Sequence, residues 1–367
     1  MTSHASPGLL AGLKVLDCSL WQPGQYAAQL LADLGAEVIK IEPPGGDRMR
    51  FMADRFFTVN GHKRSVVADL KTGAGRVRVL DLARQAEVFI EGFKPGVADR
   101  LGVGYAHLSA VNPALVYCSI SGFGQSGPLA MHSGHDHNYQ AYAGAIAFAG
   151  DQPAFTSALI GDQGSGMTAA FAICAALLCA RRTGEGERID VSMADVIAGW
   201  VAPSIAVDPS RPFPISQGVA GMGLFATADG FVVLGVFTED RLWDKLCAGL
   251  GLGDAIGLGF DARSLRSAEL NARLAGALRV HPRDAIAARL GAQEVPIAPV
   301  LSPEEMLELP HFVEHGLFAR APDGTRSIGH VARYRNHPAR PPGLPPDLGE
   351  HGDGGFHDDG DGSTAGT

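Results

Sequence analysis

Over its first 120 residues the chain alternates short β-like runs with helical ones, and this alternation constrains the fold more than any other feature. Apolar, β-branched runs at residues 14–17, 37–42, 65–69, 88–91 and 115–120 are interleaved with helical patterns at about 24–34 and 73–86. Strand, helix and strand in steps this short predict a parallel α/β sheet with helices packed on it. Ligands of such sheets sit outside the carboxyl ends of the strands. A further strand is expected at 188–192, followed by a helix.

A dinucleotide site is the first reading to test, because Glu42 closes the second strand where such a fold places its ribose-binding acid. The turn after the first strand reads "CSLWQPG", with one glycine and no G-x-G-x-x-G. No nicotinamide cofactor is therefore expected.

The rest of the chain reads as a second, smaller module with connections. Residues 203–223 are rich in proline and glycine and look like a linker. Beyond them, 224–236 read as a hairpin turning at Asp229-Gly230, then come helices at about 238–250, 267–278 and 282–290 and an apolar run at 296–301. A second proline-rich run at 337–346 precedes a tail, 353–367, made mostly of Gly, Asp, Ser and Thr and expected to be disordered.

Composition excludes several classes of function. With 367 residues, 46% of them hydrophobic, the chain can bury a substantial core and is long enough for two domains. A net charge of −9 and the lack of any long Lys/Arg run speak against nucleic acid as a partner. The amino terminus has no basic segment leading into an apolar core, so no signal peptide is expected. The longest apolar stretch, 167–180, falls short of the ~20 residues that a bilayer requires, which points to a buried helix and no membrane. Five cysteines without a C-x-x-C pair read as small core residues in a reducing cytoplasm.

Three clusters carry candidate chemistry. The stretch "MHSGHDHNY" places His132, His135 and His137 around Asp136. It reads as a metal site, a catalytic base with helpers or a polar loop; the metal reading lacks an H-E-x-x-H and any neighbouring Cys or Glu. In "IGDQGSG" Asp162 stands between glycines just before an apolar helix. It is either a helix N-cap or a reactive carboxylate, with Gly161, Gly164 and Gly166 baring backbone amides for an oxyanion. Lys63, Arg64, Phe93, Lys94 and Arg100 are scattered surface cations with an aromatic, or together a clamp for a phosphorylated adenosine.

The run "LAGLKVLDCSLWQPGQYAAQLLADLGAEVIKIEPPGGD", with "NGHKRSVVADLKTGAGR", "VFIEGFKPGVADRLGVGY", "NPALVYCSISGFGQSGPLA", "GHDHNY", "GDQGSGM" and "GEGERIDVSMADV", resembles the family III CoA-transferases of CaiB/BaiF type. That family embraces formyl-CoA and carnitine-type CoA-transferases and α-methylacyl-CoA racemases, and the similarity runs from about residue 9 to 352. The resemblance implies a large Rossmann-like parallel-sheet domain built from both ends of the chain and a small α+β domain, in an interlocked, ring-like homodimer. Its boundaries here would be 1–199 and 335–352 for the large domain, 224–317 for the small one, 200–223 and 318–334 for the linkers, and 353–367 for the tail. It implies acyl-CoA as substrate, with coenzyme A as the carrier and no metal.

Residue by residue, the resemblance puts the catalytic aspartate at Asp162 and the histidine of a racemase "GHDxNY" motif at His135. It puts CoA contacts at Gln22, Lys63, Phe93, Lys94 and Arg100. Gly92 departs from the pattern, since the family usually has Asn there. The racemase reaction needs two bases on opposite faces of one carbon, and His135 with Asp162 supplies such a pair. In that reading His135 is neutral, burial raises the pKa of Asp162, amides at the start of the helix at Met167 hold the enolate, and Asp136 or Glu239 orients the imidazole.

Residues 217–223, which lack the four-glycine run of some transferases, lean the same way. "GDQGSG", closer to transferase "GDxxTG" forms than to racemase "GDFGGG", leans toward CoA transfer, and "TEDRLW" does not match the racemase "LEPxF" segment cleanly. The expectation is therefore racemisation of a 2-methylacyl-CoA, with CoA transfer to a free carboxylate as the alternative and CoA binding without catalysis as a third class.

Overall fold

The structure, a computed structural model, describes residues 8–149, 152–154, 156–204, 219–320, 324, 326–352 and 354–357. Two compact units are present. One comprises residues up to Pro203 together with those from His311 on, and the other runs from Ser204 to Pro310.

The first unit is built on six parallel strands: β1 (Lys14–Asp17), β2 (Glu37–Glu42), β3 (Lys63–Val67), β4 (Val88–Glu91), β5 (Val116–Ser121) and β6 (Arg188–Ser192). Their spatial order is β3-β2-β1-β4-β5-β6. The chain grows one way from β1 and the other way from β4, so a crevice opens between the carboxyl ends of these two neighbours. Alternate side chains on each strand enter opposite cores. Val15, Val38, Ile90 and Cys118 join one apolar cluster, whereas Leu16, Ile39, Phe89 and Tyr117 join the other. Both faces of the sheet are thus covered, which explains why its strands read as nearly continuous apolar runs.

Helices α1 (Gln22–Asp33), α2 (Ala53–Val59), α3 (Gly73–Ala83), α4 (Asp136–Tyr142), α5 (Ile160–Thr183) and α6 (Met193–Val201) accompany the sheet. Pro23 stands in the first turn of α1, where its fixed φ suits a helix and its missing N–H is not needed. Helix α5 is long and apolar enough to cross a membrane by length and composition. It is a core helix all the same, since Ala169, Ile173, Leu177 and Ala180 are buried in the cluster that holds Val15 and Ile90. Its C-terminus is set by Gly184, at φ 76°, whose N–H bonds the carbonyl of Ala180 at 2.7 Å.

The close approach of α5 to α1 depends on Gly166. A Cβ at this position would lie 2.8 Å from both the carbonyl oxygen of Pro23 and Cδ1 of Tyr26. Only a glycine lets the two helices meet at that height.

The second unit has an antiparallel sheet of β7 (Met222–Ala226), β8 (Phe231–Gly235) and β9 (Ile297–Pro299), in the order β9-β8-β7. Helices α7 (Asp240–Gly249), α8 (Ser267–Leu278) and α9 (Arg283–Gly291) enclose a core containing Trp243, Leu246, Leu274 and Ile286.

Several segments differ from the sequence reading. Of the linker read at 200–223, residues 205–218 lie outside the described residues, while Met222 and Gly223 already belong to β7. Residues 318–334, read as a return linker, carry a hairpin of β10 (Phe318–Arg320) and β11 (Arg326–Ile328). Of the tail read from 353, residues 354–357 are docked chain, because Phe356 is buried in the core of the first unit and the carbonyl of Gly355 accepts from Arg64 at 2.5 Å. Residues 358–367 lie outside the described residues. Cys179, read as a core residue, is exposed on α5, whereas Cys18, Cys118 and Cys247 are buried.

Candidate active site

The crevice between β1 and β4 is occupied by two adjoining cavities. One, of about 110 Å³, is lined by Trp21, Gly92, Gly122, His135, Tyr139 and Asp162 among others. The next, of about 390 Å³, again has Trp21, His135 and Asp162 on its walls, and adds Gln22, Arg55, Asp136 and His137 with Met49, Phe51, Met52 and Leu159. The two residues that the sequence singled out, His135 and Asp162, thus face the same space at the place where the topology puts a ligand.

Asp162 occupies the third position of α5, whose N-cap is Leu159. It is therefore not the N-cap itself, and the helix begins seven residues before Met167, where the sequence reading started it. This removes the proposed oxyanion role of the amides near Met167, because backbone N–H groups that far inside a helix bond carbonyls four residues back. The glycines of "GDQGSG" serve packing instead. A Cβ at Gly161 would lie 2.7 Å from Oδ1 of Asp136, and one at Gly164 would lie 2.5 Å from the Trp200 ring.

What holds Asp162 is Asp136, in the first turn of α4. Its buried carboxylate accepts the backbone N–H of Asp162 through Oδ1 at 2.7 Å, and Gln140 donates to its Oδ2. Among the described residues no hydrogen bond joins Asp136 to the His135 imidazole; the contacts of Asp136 run to Gln140 and Asp162. It acts on the other member of the pair. Burial pushes the Asp162 carboxyl up to about 7, the nearby charge of Asp136 adds to the rise, and Arg55 opposes it.

His135 is exposed at the N-cap of α4. Its backbone N–H donates to Oδ1 of Asn138 at 2.9 Å, and its carbonyl accepts the N–H of Asn138 at 2.8 Å. The imidazole meets the Trp21 ring edge-on, with centroids 5.8 Å apart. His137 lines the Asp162 cavity together with His135, while His132 lines the adjoining cavity of Phe93 and Lys94 and meets Phe123 edge-on. The loop thus spreads its three histidines over different walls. Glu239 belongs to the second unit, where its Oε2 accepts the N–H of Phe237 at 3.1 Å.

The residues expected on coenzyme A divide into groups. Phe93 and Lys94 line a third cavity, of about 400 Å³, which shares Trp21, Gly92, Gly122, Gly134, His135 and Tyr139 with the crevice. Lys94 bonds Ser133 Oγ, tying the turn after β4 to the histidine loop. Gln22 lines the Asp162 cavity, and Arg100 is exposed at the end of the single helical turn Val97–Arg100.

Lys63 differs from these. Its ammonium is fully buried and donates to Asp17 Oδ2 at 2.8 Å, Gln25 O at 2.9 Å and Asn60 Oδ1 at 3.0 Å. Burial lowers its pKa to about 8. Three protein partners take up its donors, which leaves none for a phosphate.

Three contributors were not singled out from the sequence: Trp21, Arg55 and the apolar group Met49, Phe51 and Met52. All but Trp21 lie in the long connection between β2 and β3. A connection of this length in a short-looped α/β sheet was itself a sign of function.

The comparisons with known proteins show the family. The model of CoA-transferase family III matches residues 10–352. A succinate–glutarate CoA-transferase of Agrobacterium fabrum is 34% identical, over 93% of each chain. An acetyl-CoA:oxalate CoA-transferase of Acetobacter aceti is 32% identical, over 94% of each. Among solved structures, a CaiB/BaiF family protein from Brucella suis matches with a TM-score of 0.83 at 31% identity, covering 95% of this chain and 98% of that one. A hypothetical protein from Mycobacterium tuberculosis matches with a TM-score of 0.86, also at 31% identity, covering 95% and 99%. Neither curated relative carries a racemase name, which turns the expectation from racemisation toward CoA transfer. A parallel sheet whose switch-point crevice presents an aspartate, matched over nearly its whole length by these proteins, makes this chain an enzyme of CoA-transferase family III.

Proposed function

We propose that the enzyme transfers CoA from an acyl-CoA to a free carboxylate, with Asp162 as the nucleophile. The observation that carries this reading is the carboxylate of Asp162 on the wall of a cavity that continues toward Phe93 and Lys94. An oxygen of ionised Asp162 attacks the thioester carbonyl, the C–S bond breaks and CoA thiolate leaves, giving a mixed anhydride. The thiolate then attacks the Asp162 carbonyl and releases the donor acid, leaving an enzyme-bound CoA thioester. The acceptor carboxylate reverses both steps, and no proton is consumed overall. A carboxyl with its pKa near 7 ionises at neutral pH yet is a stronger nucleophile than an ordinary aspartate.

Coenzyme A would lie along the chain of cavities. An apolar pocket of about 160 Å³, walled by Ile41, Pro43, Leu70, Phe93 and Leu101 with Lys71 at its edge, suits a flat base. Lys94 and Arg100 would then meet the phosphates, and Gln22 the thioester end. A homodimer accounts for the outward side of α5, where Met167, Phe171 and Leu178 are exposed in helical register.

Racemisation is the second reading, favoured by one observation, that His135 and Asp162 line the same two cavities. The test is a panel of free carboxylates offered to the enzyme with an acyl-CoA. New CoA thioesters that disappear in Asp162→Ala support transfer; none from any acceptor refutes it.

A further inference from the structure

Resting on the transfer reading, we propose that Arg55 selects the acceptor by binding a second anionic group, so that the preferred acceptors are short dicarboxylates. The cavity offers a carboxylate acceptor two different kinds of wall. Trp21, Met49, Phe51, Met52 and Leu159 are apolar, and Arg55 is the cation among the residues that line it with Asp162. Other arginines nearby are committed. Arg50 holds Glu42 at 2.6 Å and the carbonyl of Pro346 at 3.1 Å, and stacks over Phe56. The guanidinium of Arg55 has no hydrogen-bond or ion-pair partner among the described residues, although its charge reaches Asp162.

Arg55 is exposed, and an unpaired guanidinium beside the apolar part of a cavity favours an anion and disfavours an alkyl end. The carboxyl to be activated must meet Asp162 or its thioester, so the group at Arg55 is a second one. Arg55 comes from α2 and Asp162 from α5, so the two enter the shared cavity from different elements and an acceptor can meet one with each end. A planar fork matches a carboxylate bidentately, which a lysine does not reproduce.

The experiment compares succinate with butyrate, two acceptors of equal chain length that differ in the second carboxylate. Their kcat/KM ratio is measured for the wild type, Arg55→Lys and Arg55→Gln, and succinate binding to each protein is measured by calorimetry without acyl-CoA. The expected result is a ratio well above one that falls by about a hundredfold in Arg55→Gln, mostly through KM, with Arg55→Lys between. Succinate binding weakens in the same order. A ratio unchanged by Arg55→Gln, or an equal loss for both acids, overturns the proposal and leaves CoA transfer standing. Transfer to no acid of the wider carboxylate panel, with succinate binding that still depends on Arg55, refutes the transfer reading and retains Arg55 as the dicarboxylate contact.

Discussion

The backbone N–H of Asp162 donates a 2.7 Å hydrogen bond to Oδ1 of Asp136, and this contact joins the loop of histidines to the reactive helix. It fixes where Asp162 stands and sets a second negative charge beside it. Both consequences are open to experiment.

Transfer needs Asp162 ionised. Because its carboxyl is held near 7 rather than in the ordinary aspartate range, kcat/KM is expected to rise as pH increases through about 7 and to level above it. Asp136→Asn removes one cause of the elevation while keeping an oxygen that can accept the N–H. The acid limb should therefore move to lower pH in this variant, as followed by pH-rate profiles with saturating acceptor. A limb that stays in place would mean that Asp162 does not set it.

Lys63 and Asp17 form a fully buried pair at 2.8 Å, and Asp17 also accepts the backbone N–H of Ser19 at 3.0 Å. The pair underpins the turn that presents Trp21. Lys63→Met leaves Asp17 buried without its cation and is expected to cost about 3–5 kcal/mol in urea denaturation. The double variant with Asp17→Asn should recover part of that loss. A Lys63→Met protein of normal stability that has merely lost affinity for acyl-CoA would return Lys63 to the CoA contacts.

Phe171 and Leu178 on α5 are 77% and 74% exposed, a face that a homodimer would cover. Sedimentation velocity should find two copies in the wild type and a single copy in Phe171→Glu/Leu178→Glu, since a charge in a buried apolar interface has no partner. A wild type that sediments as one chain contradicts the proposal.

Much of the sheet was legible because local signals and tertiary demands agree there. The runs at 14–17, 37–42, 88–91 and 188–192 coincide with β1, β2, β4 and β6, where β-branched and apolar residues fill both faces. His135 and Asp162, which line the same two cavities, stood out because a histidine-rich loop and an aspartate before an apolar run are rare local arrangements. The glycines around Asp162 were misread, since chemistry and close packing ask for the same residue; only Trp200, Ile197 and Tyr26, distant in sequence, tell which applies. Lys63 looked like a surface cation for a similar reason. Its partners Asp17, Gln25 and Asn60 come together only when β1, α1 and α2 meet. Arg55 was invisible because an arginine on a short amphipathic helix gives no sign of which cavity it faces.

Trapping the acyl group on the enzyme tests whether Asp162 is the nucleophile. The protein is incubated with an acyl-CoA and no acceptor, quenched with hydroxylamine and analysed by peptide mass spectrometry. The expected result is a hydroxamate at Asp162, formed from the anhydride or the enzyme-bound thioester and absent without acyl-CoA. An unmodified Asp162, in an enzyme that exchanges deuterium from D2O into the α-carbon of a 2-methylacyl-CoA and inverts it, would contradict CoA transfer and restore the His135 and Asp162 pair as the two bases of a racemase.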